Sequence, residues 1–277
     1  MKKIAILCSD DAHHHYLIAA LQKRFNVAAV VIEPGVSQRK RLLQRRKYVD
    51  YLYSEYHRFR REWLGLNAYR KKYFTLDQSP DQSTDQPAPE PPSYKLLTAD
   101  SINDPGVAEL LRETGSDITI VMGTSILGKR VLDSAGPMIL NIHGGYLPDY
   151  RGNHCFFFAV YEGRFDRIGS TIHFINAGID TGEIVEVVVP PIYPQDSVEA
   201  LYCRAEKLAI GRLISWLEFS EAGGTLPRTA QPYRARLYRT RDRKPYHDII
   251  LALRRISGRL VLPLRPPQTI GAAEQQD

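Results

Sequence analysis

Residues 141–182 hold the side chains best suited to chemistry in this chain. Asn141 and His143 alternate, so on an extended segment they share a side. An Asn amide is a fixed N–H donor for a developing oxyanion, and an imidazole can donate a second hydrogen bond or carry a proton. If the fold gathers the three, Asp180, in the pattern Asp180-Thr-Gly182, could orient that imidazole and collect a proton through a water. No serine or cysteine stands at a recognisable nucleophile elbow. The set therefore offers an oxyanion site and a proton relay. That suits direct attack by one bound substrate on a carbonyl of another, where positioning lowers much of the barrier. Transfer of a group to an amine fits this description. Taken singly, each residue also has a plainer role: Asn ends strands, Asp-x-Gly makes turns, and a lone His is a satisfied polar group.

These side chains need a strand to deliver them. Met138, Ile139 and Leu140 are a short β-rich apolar run, which predicts a strand over 137–141 that stops at Asn141. Segments 3–8 and 27–33 read as strands around a helix over 10–25, a β-α-β opening. Its first turn, Cys8-Ser-Asp-Asp-Ala12, has two carboxylates and no glycine, so a dinucleotide fingerprint is absent. Further strands are expected at 94–98, 117–122, 170–175 and 183–189. Asp104, Pro105 and Gly115 cap, start and stop a helix over 105–114. Others are expected over 129–134 and 155–161, and a long one from Asp196 to Gly223. The alternation implies an α/β fold: a Rossmann-like, mostly parallel sheet with helices on both faces. Ligands of such sheets bind outside the carboxyl edge, where Asn141 and His143 would emerge.

With 277 residues, 43% of them hydrophobic, the chain can bury a large core. No apolar run approaches the roughly 18 residues of a membrane helix. Lys2 and Lys3 followed by Ile-Ala-Ile-Leu lack the form of a signal peptide, so a cytoplasmic location is expected. Cys8, Cys155 and Cys203 have no metal or disulfide spacing. His13, His14 and His15 are consecutive, so they splay around a helix start instead of converging on a metal; one of them facing a ligand cleft is the expectation. The net charge of +6 is uneven: 37–74 holds 12 Lys/Arg against 3 Asp/Glu, and 228–265 holds 11 against 2. Such segments attract phosphorylated partners, or they are merely solvated helix faces. Within 37–74, Tyr48, Leu52, Tyr56, Phe59 and Trp63 form a helical stripe expected to be core or interface packing, with base stacking as the alternative. Segment 77–93 is polar with five prolines and reads as a mobile loop. Beyond 227, a strand or two and a terminal helix are expected, with a disordered end.

The ordered pattern Asn141-x-His143, Leu147-Pro148-x-Tyr150-Arg151-Gly152, Gly169-x-Thr171-x-His173 and Asp180-x-Gly182 resembles the folate-dependent formyltransferases. These include glycinamide ribonucleotide transformylase, methionyl-tRNA formyltransferase and the amino-sugar N-formyltransferases. The resemblance covers 117–190 closely and the N-terminal β-α-β unit loosely. It implies that Asn141, His143 and Asp180 are the catalytic set, with His173 in support. It also implies 10-formyltetrahydrofolate as co-substrate and no metal. The pterin would lie between two loops, meeting Gly123, Ser125, Ile126 and Leu127 on one side and Ala177, Gly178 and Ile179 on the other. A substrate amine would attack the formyl carbon while Asn141 and His143 stabilise the tetrahedral oxyanion. Asp180 would hold His143 and help move a proton to the leaving nitrogen. Tyr150, Arg151 and Gly152 would shape their loop, with phosphate binding as the alternative for Arg151.

Three departures bear on the acceptor. Gly144-Gly145 replaces the Pro-Ser that commonly follows the family's catalytic His, which predicts a looser loop. Ser9-Asp10-Asp11 stands where glycinamide ribonucleotide transformylases carry a Gly/Ser-rich phosphate loop. The segment after 223 is shorter than the barrel of methionyl-tRNA formyltransferases. The amino-sugar enzymes remain by elimination, so the expected partner is a small amine, phosphorylated or nucleotide-linked. Glycinamide ribonucleotide formylation, formyltetrahydrofolate hydrolysis and a nucleic-acid-binding protein on the same fold are the alternatives. A homodimer is left open. The expected organisation is a catalytic domain over 1–223, with a basic helical insertion at 37–74, and a basic extension over 224–277.

Overall fold

The computed structural model describes residues 1–75 and 93–266. The chain opens with β1 (Lys3–Cys8), α1 (Ala12–Gln22) and β2 (Asn26–Ile32). Three helices follow, α2 (Gly35–Gln44), α3 (Tyr48–Trp63) and α4 (Leu66–Thr75). Then come β3 (Lys95–Thr98), α5 (Pro105–Thr114), β4 (Ile118–Met122), α6 (Lys129–Leu132) and β5 (Met138–His143). The next elements are β6 (Arg151–Gly152), α7 (Cys155–Tyr161), β7 (Ser170–Phe174), β8 (Ile184–Val188) and α8 (Val198–Glu221). The last are β9 (Leu237–Tyr238) and α9 (Pro245–Ile256). Among the described residues the main sheet has seven strands in the order β3-β2-β1-β4-β5-β7-β8. Strands β3 to β5 are parallel; β7 alone runs against its neighbours β5 and β8.

Both faces of this sheet are covered, which its sequences anticipate. In β1, Ile4, Ile6 and Cys8 enter one core, with α1 residues Leu17 and Leu21 and α8 residues Ile210, Leu213 and Leu217. Ala5 and Leu7 point the other way, into a core with Val107 and Leu111 of α5 and Val131 of α6. Asp104 caps α5 through its side chain to the Gly106 N–H, Pro105 takes the first turn, and Gly115 ends the helix at φ 57°. Chain order reverses between β1 and β4, so a crevice opens at their carboxyl ends.

Three details differ from the sequence expectations. Strand β5 runs on through His143, because Asn141 and His143 pair in register with His173 and Thr171 of β7. Helix α8 is capped by Ser197, whose Oγ accepts the Ala200 N–H; Asp196 is occupied by the Tyr193 N–H and by Arg204. On α3 the aromatic stripe faces outward, with Leu52, Phe59 and Trp63 all more than 60% exposed. Packing falls instead to His57, 5% exposed, and to Arg60, which pairs with Asp248; within the stripe, Tyr56 turns its hydroxyl to the same carboxylate. Polar pairing with the C-terminal segment, which periodicity cannot register, sets that helix's rotation. The segment after 223, for which a strand or two and a terminal helix are expected, supplies β9 and α9 and is tied into the main body. Strand β9 pairs with β6, Tyr238 stacks on Phe158 at 4.3 Å, and Leu262 joins the same buried cluster. Apart from Ser93, the Pro-rich segment 77–93 lies outside the described residues, as does the chain's last stretch. No described helix is long and apolar enough to cross a membrane.

Candidate active site

At the carboxyl edge of β4 and β5 lies a cleft with a cavity volume of about 550 Å³. Strand β5 delivers Asn141 and His143 into it, and the loop after β7 brings Asp180. Asp180 sits at φ 49°, a left-handed conformation that Asp tolerates better than most residues. Its Oδ2 accepts the Gly152 N–H at 2.9 Å and lies 3.6 Å from His143 Nδ1. Its Oδ1 is 3.8 Å from His173 Nε2.

The hydrogen bonds fix the tautomers. His173 Nδ1 faces the Phe174 carbonyl at 2.8 Å and must donate, so Nε2 is an acceptor. Asn141 therefore turns its NH₂ to His173 at 3.0 Å, leaving its second N–H for a ligand. Burial holds His173 neutral, its pKa pushed down to about 4. His143 Nε2 meets the Tyr150 carbonyl at 3.0 Å, so it donates there and presents Nδ1 to Asp180.

The loop between His143 and Tyr150 is tight, contrary to the looseness its glycines suggest. The Gly145 N–H donates to the His143 carbonyl, and its own carbonyl accepts from Thr171. A Cβ on Gly145 would fall 2.5 Å from His143 Nε2 and 2.7 Å from the Tyr150 carbonyl. Glycine here allows the close approach that seats the imidazole.

Gly123, Ser125, Ile126, Leu127, Ala177, Gly178 and Ile179 line the same cleft. Among the supporting residues, His173 and Gly152 line it as well. Tyr150 and Arg151 face the loop's interior. The Tyr150 hydroxyl donates to Glu162, and the Arg151 guanidinium donates to the carbonyls of Ile179 and Ala235. Arg151 thus shapes the Asp180 loop and does not offer its guanidinium to a phosphate.

Several cleft residues escaped the sequence reading. Glu33, fully buried, accepts the Ser125 N–H at 2.7 Å, while Gln38 and Arg41 of α2 bond the Gly123 carbonyl and the Ser125 hydroxyl. Helix α2 therefore clamps the 123–127 loop. Gln231 donates to the carbonyls of Asp180 and Gly182, so the C-terminal segment braces the other loop. His13, Asn153, His154, Tyr202, Glu206 and Arg239 also line the cleft. Glu206 accepts from the Ser170 hydroxyl, and burial raises its pKa to about 7. His13 fits the expectation that one of the three consecutive histidines faces a cleft, whereas no single-residue pattern marks the other positions.

His13 and His14 do not splay as expected. Their rings lie 3.9 Å apart beside Asp11, a carboxylate-and-imidazole group of metal-binding type. A cation is disfavoured there, because Arg70 approaches Asp11 at 3.6 Å and its guanidinium lies over Tyr202. His14 is also engaged, its Nδ1 accepting the Asp11 N–H.

A Rossmann-like sheet whose crevice gathers an amide, two imidazoles and a carboxylate between two backbone-rich loops defines a group-transfer class. Comparison with known proteins makes it specific. The formyl transferase family matches residues 2–216, and the chain belongs to that family. Its members are enzymes that use 10-formyltetrahydrofolate. A methionyl-tRNA formyltransferase of Syntrophus aciditrophicus is 32% identical over 133 residues, 47% of this chain and 42% of that protein. The chain thus matches less than half the length of such relatives. Two solved structures share the fold. One is a likely sugar N-formyltransferase, Rv3404c, from Mycobacterium tuberculosis, with a TM-score of 0.55, 18% identity, and coverage of 97% of this chain and 100% of that one. The other is glycinamide ribonucleotide transformylase 1 from Symbiobacterium toebii, with a TM-score of 0.53, 21% identity, and coverage of 83% and 93%.

Proposed function

We propose that this chain is a cytoplasmic N-formyltransferase moving a formyl group from 10-formyltetrahydrofolate to a primary amine on a nucleotide-linked amino sugar. The observation that carries the reading is the meeting of Asn141, His143, His173 and Asp180 at one cleft wall, within 3.0 to 3.8 Å of one another along the chain of contacts. The pterin packs between the 123–127 loop and 177–179. The amine attacks the formyl carbon and a C–N bond forms. The second N–H of Asn141 meets the oxyanion. His143 and Asp180 take the amine's proton and return it to the folate nitrogen as its bond to the formyl carbon breaks.

Replacing Asn141 or Asp180 by Ala lowers turnover by roughly 10² or more at nearly unchanged tetrahydrofolate affinity. Steady-state kinetics with parallel binding titrations check this, and unchanged turnover in both variants contradicts it. A second reading takes methionyl-tRNA as acceptor, and the sequence similarity to methionyl-tRNA formyltransferases favours it. Charged initiator tRNA offered beside nucleotide-linked amines separates the two.

A further inference from the structure

Helices α3 and α9 each carry an apolar seam that the fold leaves uncovered. On α3, Val49, Leu52, Tyr56, Phe59 and Trp63 recur at steps of 3, 4, 3 and 4, the spacing with which one helix packs along another. On α9, Tyr246, Ile249, Leu253 and Ile256 repeat it at steps of 3, 4 and 3. Apart from Tyr56, all of these side chains are more than half exposed, Trp63 at 74% and Ile256 at 84%. Other faces hold the two helices to the body. His57 donates to the Thr240 carbonyl, and Arg254 donates to that of Tyr161.

The seams form one surface. Helix α3 and the segment that enters α9 run side by side in the same direction: Arg241 pairs with Asp50, Lys244 lies over the Tyr53 ring, and Asp248 accepts from Tyr56. On α3 the seam falls about a quarter turn before Arg60, which faces Asp248; on α9 it falls about a third of a turn past Asp248. Between parallel neighbours, those opposite senses turn both seams to the same side.

Size and charge select what covers this surface. Taking on the order of 150–250 Å² for a large side chain, the exposed members of the two seams present about 1,000 Å². The largest apolar patch of a monomer is about 300–600 Å², whereas a stable dimer buries about 800 Å² on each partner. A nucleic acid is disfavoured. All three carboxylates of the basic segment 37–74, Asp50, Glu55 and Glu62, lie on α3, where they balance Arg58, Arg60 and Arg61. The basic surplus lies outside that helix. Arg58 donates to both Glu55 and Glu62, so a face of mixed sign meets its own copy without a wall of like charge.

We infer that this surface is a homodimer interface, in which α3 and α9 of one copy pack on α3 and α9 of a second as a layer of four helices. A second copy supplies two neighbouring seams of matching spacing and length, and a two-fold arrangement covers both at once. The interface goes beyond the transfer chemistry and holds for any acceptor.

Sedimentation equilibrium on the full chain, over a range of concentrations, tests it. The expected result is a reversible dimer that raised salt leaves in place. Phe59→Glu and Leu253→Glu, one in each seam, each raise its dissociation constant at least 10-fold with unchanged circular dichroism. Leu96→Glu, at a position 53% exposed on the edge strand β3, leaves it unchanged. A monomer at every concentration overturns the interface, as does a dimer that either seam variant forms as tightly as the unaltered chain. So does a monomeric chain that binds an RNA hairpin in a salt-sensitive way and loses it in Phe59→Glu.

Discussion

Asn141 and His173 face each other across β5 and β7 as a register pair, so the amide's orientation is a consequence of strand pairing. That Asn141 and His143 share one side was legible because a strand's alternation puts residues two apart on one face. Glu206 was not legible, since a carboxylate within a long amphipathic helix reads as solvated until the fold buries it. That burial has a measurable consequence. The folded pKa, about 7, lies above the ordinary 4.5, so the native state binds the proton more tightly than the unfolded chain. Stability is therefore undiminished below about pH 4.5 and falls as pH rises to about 7, by an amount on the order of 3 kcal/mol. Denaturant unfolding of Glu206→Gln and the unaltered chain at pH 5 and pH 8 should show the variant gaining about 2 kcal/mol in relative stability at the higher pH. A gap that does not change with pH contradicts the assignment.

At the scale of elements, the parallel core was readable wherever one physical cause dominated. The Asp104, Pro105 and Gly115 signals bound α5 at both ends, and continuous apolar runs marked β1 and β4. Helix α3 shows where this fails. Its aromatic stripe is the stronger hydrophobic signal, yet His57 and Arg60 face the body because Asp248, Thr240 and His154 are there to receive them. Such long-range pairing leaves no local trace. Asp248, with its side chain 20% exposed, is the joint of this arrangement, bonded to Tyr56, Arg60 and Arg243. Asp248→Asn strands the two guanidiniums beside each other and is expected to cost about 2 to 4 kcal/mol. Chemical denaturation should report this loss together with faster proteolysis in α3; an unaltered midpoint would show that the contact is ornamental.

For the whole molecule, the cleft is held from three directions. The sheet presents β5 with Asn141 and His143, α2 clamps the 123–127 loop through Gln38 and Arg41, and the segment after 223 braces the Asp180 loop through Gln231. The two basic segments, far apart in sequence, thus meet in the fold, α3 against the turn Thr240–Asp242. One measurement addresses the central claim most directly: release of tetrahydrofolate from 10-formyltetrahydrofolate, followed with and without a panel of phosphorylated and nucleotide-linked amines. The proposal predicts release that requires an amine, yields one equivalent of N-formyl product per tetrahydrofolate, and falls by roughly 10² in Asn141→Ala. Release of formate at the same rate without any amine, or product formation undiminished in Asn141→Ala, would contradict it.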